Sequence, residues 1–207
     1  MLDYSSSTIP ITSQIEAAAK SFVDELKTGI DEAEVIKFDK DVFAIQGFTT
    51  DKPALIPAIE SPFPHADRYG TSLYDAILQS IDDTSKRANA KLSVIAVSDG
   101  EDTFSDATLD EVVNSAIQKG IPVFTISVGT DGAEQLQQLA KQTGGQYFLA
   151  DTASDLEAVY LKISQVLSNQ YLIEYPSASS GGSTVSLDVE VDNNGLLGND
   201  SRDATGC

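Results

Sequence analysis

Leu92-Ser93-Val94-Ile95-Ala96-Val97 runs directly into Ser98-Asp99-Gly100-Glu101-Asp102, and this stretch decides the fold. A strand with one wet face alternates apolar and polar residues; this one is apolar at all but one position. It fits a strand covered on both faces, as in a parallel sheet packed between two layers of helices. The change to Ser-Asp-Gly-Glu-Asp marks the carboxyl end of that strand, where sheets of this kind bind ligands.

The pattern repeats outward. Pro122 to Val128 is a second buried strand and Tyr147 to Ala150 a short third one. Thr108 and Glu111 form a capping box for a helix carrying Leu109, Val112, Val113 and Ile117, closed by Gly120. After Gly129-Thr130-Asp131-Gly132 comes a helix with Leu136 and Leu139, and Ser154 with Glu157 boxes another holding Leu156, Val159, Tyr160 and Ile163. Upstream, Leu73 to about Ala88 buries Leu73, Ile77 and Ile81 at helical spacing, as Ile11, Ile15, Phe22 and Leu26 do before Gly29. Ala33 to Phe38 and Val42 to Phe48, joined by Asp39-Lys40-Asp41, read as an antiparallel pair. Pro53 to Ile59 is a short helix, and Ser61 to Tyr69, with Pro62 and Pro64, a loop. This alternation predicts an α/β fold over residues 1–167: a doubly wound, mostly parallel Rossmann-like sheet with helices on both faces and one antiparallel edge strand.

From residue 168 to 207 the pattern is different. Tyr171 to Tyr175 and Thr184 to Val191 alternate like strands and read as a C-terminal β-hairpin extension, with a polar tail after Asp192-Asn193-Asn194-Gly195. That acidic stretch does not fit a calcium loop, because aligning Gly195 with the loop's glycine puts Glu190 first and Ser201 last. Only Met1 and Leu2 precede Asp3, where a strand of about 5–6 residues is expected, so the first strand reads as truncated and the chain as an excerpt. Cys207, the single cysteine, is expected to pair beyond the end. Asn199-Asp200-Ser201 is a glycosylation sequon.

A net charge of −19, from 32 acidic and 13 basic residues, opposes binding to nucleic acid and to anionic lipid. No apolar run approaches the ~18–20 residues of a membrane helix. Enzymatic chemistry finds no footing either. The single histidine, His65, reads as a surface-loop residue, there is no phosphate-binding glycine loop, and Ser5 stands where an aspartate-nucleophile phosphotransferase needs a second carboxylate.

Three separated pieces fall on the predicted carboxyl edge: Asp3-Tyr4-Ser5-Ser6-Ser7, Gly70-Thr71-Ser72 and Ser98-Asp99-Gly100-Glu101-Asp102. Each alone reads as a helix cap or a turn. Together they offer carboxylates and hydroxyls without cysteine or histidine, a donor set for a hard cation.

These pieces resemble the metal-ion-dependent adhesion site of the von Willebrand factor type A domain family. Asp3-Tyr4-Ser5-Ser6-Ser7 matches Asp-x-Ser-x-Ser, Thr71 in Gly-Thr-Ser-Leu-Tyr-Asp-Ala the distal threonine, and Asp99 in Val-Ser-Asp-Gly-Glu-Asp the distal aspartate. The likeness continues through Ile126-Ser127-Val128-Gly129 and Thr143-Gly144-Gly145-Gln146-Tyr147-Phe148, with Ser6 where the family usually has glycine. The resemblance implies that Ser5, Ser7 and Thr71 ligate Mg²⁺ (Mn²⁺ or Ca²⁺ as substitutes), with Asp3 and Asp99 acting directly or through water. It implies a non-catalytic adhesion module whose metal is completed by an Asp or Glu carboxylate of a protein partner; the terminal cysteine and the acidic surface favour an extracellular, periplasmic or cell-surface setting. The rival readings are an intracellular scaffold or assembly factor with metal-independent binding and, behind it, a metal-dependent hydrolase. Glu101, Asp102 and Asp131 are read as solvated loop acids around this edge.

Overall fold

The computed structural model describes residues 1–88, 91–99, 101–129, 133–169, 184–193 and 196–205. Gly100, Asp131, Tyr171 to Tyr175 and Cys207 lie outside the described residues. The chain divides into two units, Met1–Gln170 and Tyr171–Cys207, each taken by itself below.

In the first unit, six strands form one sheet. They are β1 (Leu2–Asp3), β2 (Ala33–Phe38), β3 (Val42–Thr49), β4 (Val94–Ser98), β5 (Val123–Val128) and β6 (Tyr147–Ala150), in the order β3-β2-β1-β4-β5-β6. Only β2 and β3 are antiparallel; the other neighbours are parallel, as the alternation of strands and helices requires. The helices are α1 (Thr12–Glu25), α2 (Lys52–Glu60), α3 (Leu73–Ser85), α4 (Leu109–Lys119), α5 (Ala133–Thr143) and α6 (Leu156–Ser168).

The strand sequences sort side chains to two cores by their period of two. On β4, Val94 and Ala96 join Leu73, Ile77 and Ile81 of α3, Val112 and Ala116 of α4, and Leu136 and Leu139 of α5. Val97 faces the opposite core with Ile15 of α1, Leu55 and Ile59 of α2, and Leu156, Tyr160 and Ile163 of α6. Fully burying each large aliphatic side chain contributes roughly 1.5–3 kcal/mol, so both faces of the sheet are held firmly. Thr125, polar and fully buried on β5, is accommodated because its Oγ1 donates to the Leu136 carbonyl of α5 at 2.9 Å. Gly145 brings the chain back to the sheet after α5: a Cβ there would lie 2.0 Å from the Val123 carbonyl oxygen.

The order reverses between β1 and β4, since the chain runs from β1 outward to β2 and β3 and then returns to β4. The carboxyl ends of β1 and β4 therefore flank the switch-point crevice. Their register, Leu2 opposite Val97, sets Asp3 beside Ser98 at its mouth.

The last helix starts differently from expectation. Thr152 N and Oγ1 donate to Asp155 Oδ2 at 3.0 and 2.8 Å, so the capping box is Thr152/Asp155, not Ser154/Glu157. The chain leaves β6 at Ala150 and turns immediately through a 3₁₀ segment, Ala153–Asp155, before α6.

The described part of the second unit is an antiparallel hairpin of β7 (Thr184–Asn193) and β8 (Leu196–Thr205), with register running from Asn193 opposite Leu196 to Thr184 opposite Thr205. Residues 196–205, read as a polar tail, are thus a strand paired with β7; the expected partner, Tyr171 to Tyr175, lies outside the described residues. Among the described residues no helix is long and apolar enough to cross a membrane.

Candidate metal centre

Asp3 closes β1 and is fully buried. Ser5 N donates to its Oδ1 at 2.7 Å and Ser98 Oγ to its Oδ2 at 2.5 Å. Burial lifts its carboxyl to about 6, against the lowering influence of the Ser98 and Ser5 donors and with a smaller upward push from the Asp99 charge. Ser98 has no place in the sequence-derived site. The signal for it was the parallel register, which sets the last residue of β4 beside the last residue of β1.

Ser5 precedes the 3₁₀ segment Ser6–Ile11 in the capping position, yet its side chain makes no capping bond. Thr8 fixes the turn, with Oγ1 donating to the Asp3 and Ser5 carbonyls at 3.1 and 2.9 Å. The Ser5 hydroxyl instead lies 3.1 Å from that of the exposed Ser7, and Ser7 Oγ donates to Asp99 Oδ1 at 2.9 Å. Asp3, Ser5, Ser7 and Asp99 thus form one hydrogen-bonded run across the switch point, all of it oxygen on the side-chain side.

Thr71 is buried just before α3, on the loop that crosses the same edge. Its amide donates to Thr103 Oγ1 at 3.0 Å, and its carbonyl accepts from Thr103 N and Phe104 N at 2.9 and 3.1 Å. The segment following Asp99 therefore grips Thr71 by its backbone. Gly70 has φ +70°, and a Cβ there would press against Lys40 and Phe104 Cβ at 3.2 Å, so the approach to Thr71 needs glycine.

Asp102 is not a solvated loop acid. Its Oδ1 accepts from Tyr74 N at 3.0 Å and Ser105 Oγ at 2.6 Å, so it caps the first turn of α3 from across the loop. Asp75 on α3 returns the connection, accepting from Asp106 N and Ala107 N at 3.0 and 2.9 Å. Glu101 is exposed, with Gln135 Nε2 at 3.5 Å.

His65 is partly buried, not a simple surface residue. Its Nδ1 lies 2.8 Å from Oδ2 of the fully buried Asp39. The loop that carries it is pinned to the core: Phe63 stacks on Tyr4 at 4.9 Å, and the buried Lys37 Nζ donates to the Ser61 carbonyl at 2.5 Å. Burial lowers the Lys37 ammonium to about 8. No sequence signal marks Asp39 and His65 as neighbours, because the hairpin turn and the loop meet only in three dimensions.

An all-oxygen set of two carboxylates and three hydroxyl residues on one sheet edge matches a hard divalent cation. The chain belongs to the von Willebrand factor type A domain family, whose sequence model matches residues 1–162. It is 26% identical over 187 residues to inter-alpha-trypsin inhibitor heavy chain H2 of Sus scrofa, covering 77% of this chain and 20% of that protein. It is 28% identical over 185 residues to a UPF0353 protein of Nocardia farcinica, covering 70% of this chain and 53% of that one. The chain thus spans about a fifth and about half of these curated relatives. Among solved structures, a von Willebrand factor type A protein from Catenulispora acidiphila superposes with a TM-score of 0.74 at 19% identity, over 99% of this chain and 54% of that one.

Proposed function

We propose that this chain is a metal-dependent protein-binding module, not an enzyme, in which Asp3, Ser5, Ser7, Thr71 and Asp99 hold Mg²⁺ and a partner's Asp or Glu carboxylate completes the metal's shell. The observation that carries the reading is the run Asp3–Ser5–Ser7–Asp99 at the switch point, with the Ser5 hydroxyl left out of helix capping. A bound divalent cation supplies an electrophilic position for an anionic oxygen. The chain's own residues present the donors: Ser98 and the Ser5 amide fix the Asp3 carboxylate, Thr8 holds the turn carrying Ser5 and Ser7, and Thr103 and Phe104 hold Thr71. With both Asp3 oxygens already accepting protein donors, Asp3 suits an orienting or water-mediated role more than direct ligation.

The surroundings suit a protein ligand. Tyr69 and Phe104 are exposed and pack edge to face at 5.8 Å beside Gly70 and Thr71, an apolar shoulder for a partner. The net charge of −19 favours a partner that presents its carboxylate from a neutral or basic surface. We place such a module at the cell surface, in the periplasm or outside the cell.

The test is calorimetric titration of the chain with Mg²⁺ and Mn²⁺, followed by partner capture with and without chelator, using Thr71→Ala and Asp99→Ala as controls. Both variants should remain folded and lose metal-dependent binding. Partner binding retained in both, or unaffected by chelator, would establish the metal-independent scaffold in its place.

A further inference from the structure

We propose that Asp39, His65 and Asp67 form a second metal site, separate from the switch-point donors and suited to Zn²⁺ in preference to Mg²⁺. One donor atom from each residue lies within 4.8 Å of the others. Zinc ligands sit ~2.0–2.2 Å from the ion, so donor pairs around it lie at most roughly 4 Å apart. Asp67 is exposed and loop-borne, and it is the ligand with room to close the remaining gap.

Charge gives an independent argument. Asp39 is fully buried, and among the described residues the one basic side chain within salt-bridge distance of its carboxylate is the imidazole of His65. Asp41 faces the same ring, with Oδ2 3.5 Å from Nε2. Three carboxylates, those of Asp39, Asp41 and Asp67, thus surround a single imidazole, and no lysine or arginine among the described residues forms an ion pair with any of them. Burying a carboxylate beside further acids is unfavourable without a compensating cation.

The imidazole is held as a metal ligand needs it. Its Nδ1 points at Asp39, 2.8 Å from Oδ2, while Nε2 faces the Asp41 carboxylate. A ligating histidine commonly directs its second nitrogen to a carboxylate, which fixes both tautomer and ring orientation. Phe43 and Phe63 meet the ring edge to face at 5.0 and 5.9 Å, giving it an apolar collar. An imidazole nitrogen with carboxylate oxygens favours zinc over magnesium, whereas the all-oxygen switch-point set favours the harder ion. The two sites therefore differ in metal preference, although Ser72 N donates to the Asp39 carbonyl at 2.7 Å and so joins their loops.

His65 is the sole histidine, so its ring signals in NMR are uniquely assigned. The experiment uses the full 207-residue chain carrying Thr71→Ala, which disables the first site, and Cys207→Ser, which removes the thiol. ZnCl₂ is titrated while the imidazole ¹H–¹⁵N signals and the heat of binding are followed, with MgCl₂ as comparison. One equivalent of zinc should shift the His65 signals, a tenfold excess of magnesium should not, and Asp67→Asn should weaken zinc binding at least tenfold. Circular dichroism confirms that this exposed substitution leaves the chain folded. Imidazole signals unmoved by zinc, or zinc affinity unchanged in folded Asp67→Asn, would reduce the cluster to a His65–Asp39 hydrogen bond and overturn the proposal.

Discussion

Replacing Ser98 with alanine isolates the bond that holds Asp3. Both side chains are fully buried, and the Ser98 hydroxyl reaches Asp3 Oδ2 at 2.5 Å. A hydrogen bond to an ionised group contributes about 1.5–3 kcal/mol, and one between neutral groups about 0.5–1.5 kcal/mol. Burial has lifted the Asp3 carboxyl to about 6 from an ordinary 3.8, so the group is mostly ionised at pH 8 and mostly neutral at pH 5. A raised folded-state value means that Asp3's contribution favours the fold fully below about 4 and is lost as pH rises through about 6. The Ser98 bond lowers that value, so removing it pushes the value higher and extends the loss to higher pH. Ser98→Ala should therefore destabilise the metal-free protein by about 2 kcal/mol at pH 8 and by about 1 kcal/mol at pH 5. Urea unfolding at the two pH values, with unchanged slope, measures this. Equal penalties at both, or less than about 0.5 kcal/mol at pH 8, would refute the assignment of Ser98 as the anchor of an ionised Asp3.

Two further outcomes follow from geometry elsewhere. Gly145→Ala forces a Cβ to within 2.0 Å of the Val123 carbonyl oxygen, backbone that cannot rotate away, so a loss at or above the ~1–3 kcal/mol typical of overpacking is expected. A Tm within a degree of wild type would show that the α5–β6 turn is looser than described. Glu34 is lifted to about 7 chiefly by burial, with the Asp83 charge adding to it. Its contribution to stability is full below about 4.5 and lost as pH rises through about 7, so Glu34→Gln should flatten the decline in stability between pH 6 and 8. Parallel pH profiles for variant and wild type would contradict this.

The apolar run at 92–97 made the parallel sheet legible because a strand covered on both faces cannot hide its composition. Motif spacing singled out Asp3, Ser5, Ser7, Thr71 and Asp99, and the structure joins Asp3, Ser5, Ser7 and Asp99 in one hydrogen-bonded run. Ser98 was not, because a serine before an aspartate has no distinguishing pattern; only the strand register gives it a partner. Asp102 failed for a related reason: as a loop acid it looks solvated, yet it caps a helix that begins 29 positions earlier, at Leu73. The tail from Leu196 to Thr205 read as unstructured because its many polar residues hide the strand character that pairing with β7 reveals. Asp39 and His65 lay beyond reach, since a turn and a loop meet there without any shared periodicity.

The bonds across the switch point join residues 92 and 95 positions apart in the chain, Ser7 to Asp99 and Ser98 to Asp3. Contacts of that span form only once the entropy of closing a long loop has been overcome. No fragment of the sheet assembles these donors before β1 and β4 have docked. The metal proposed for this edge would therefore recognise only the completed fold. It should leave the refolding rate nearly unchanged and slow unfolding instead, acting as a brake on the native state.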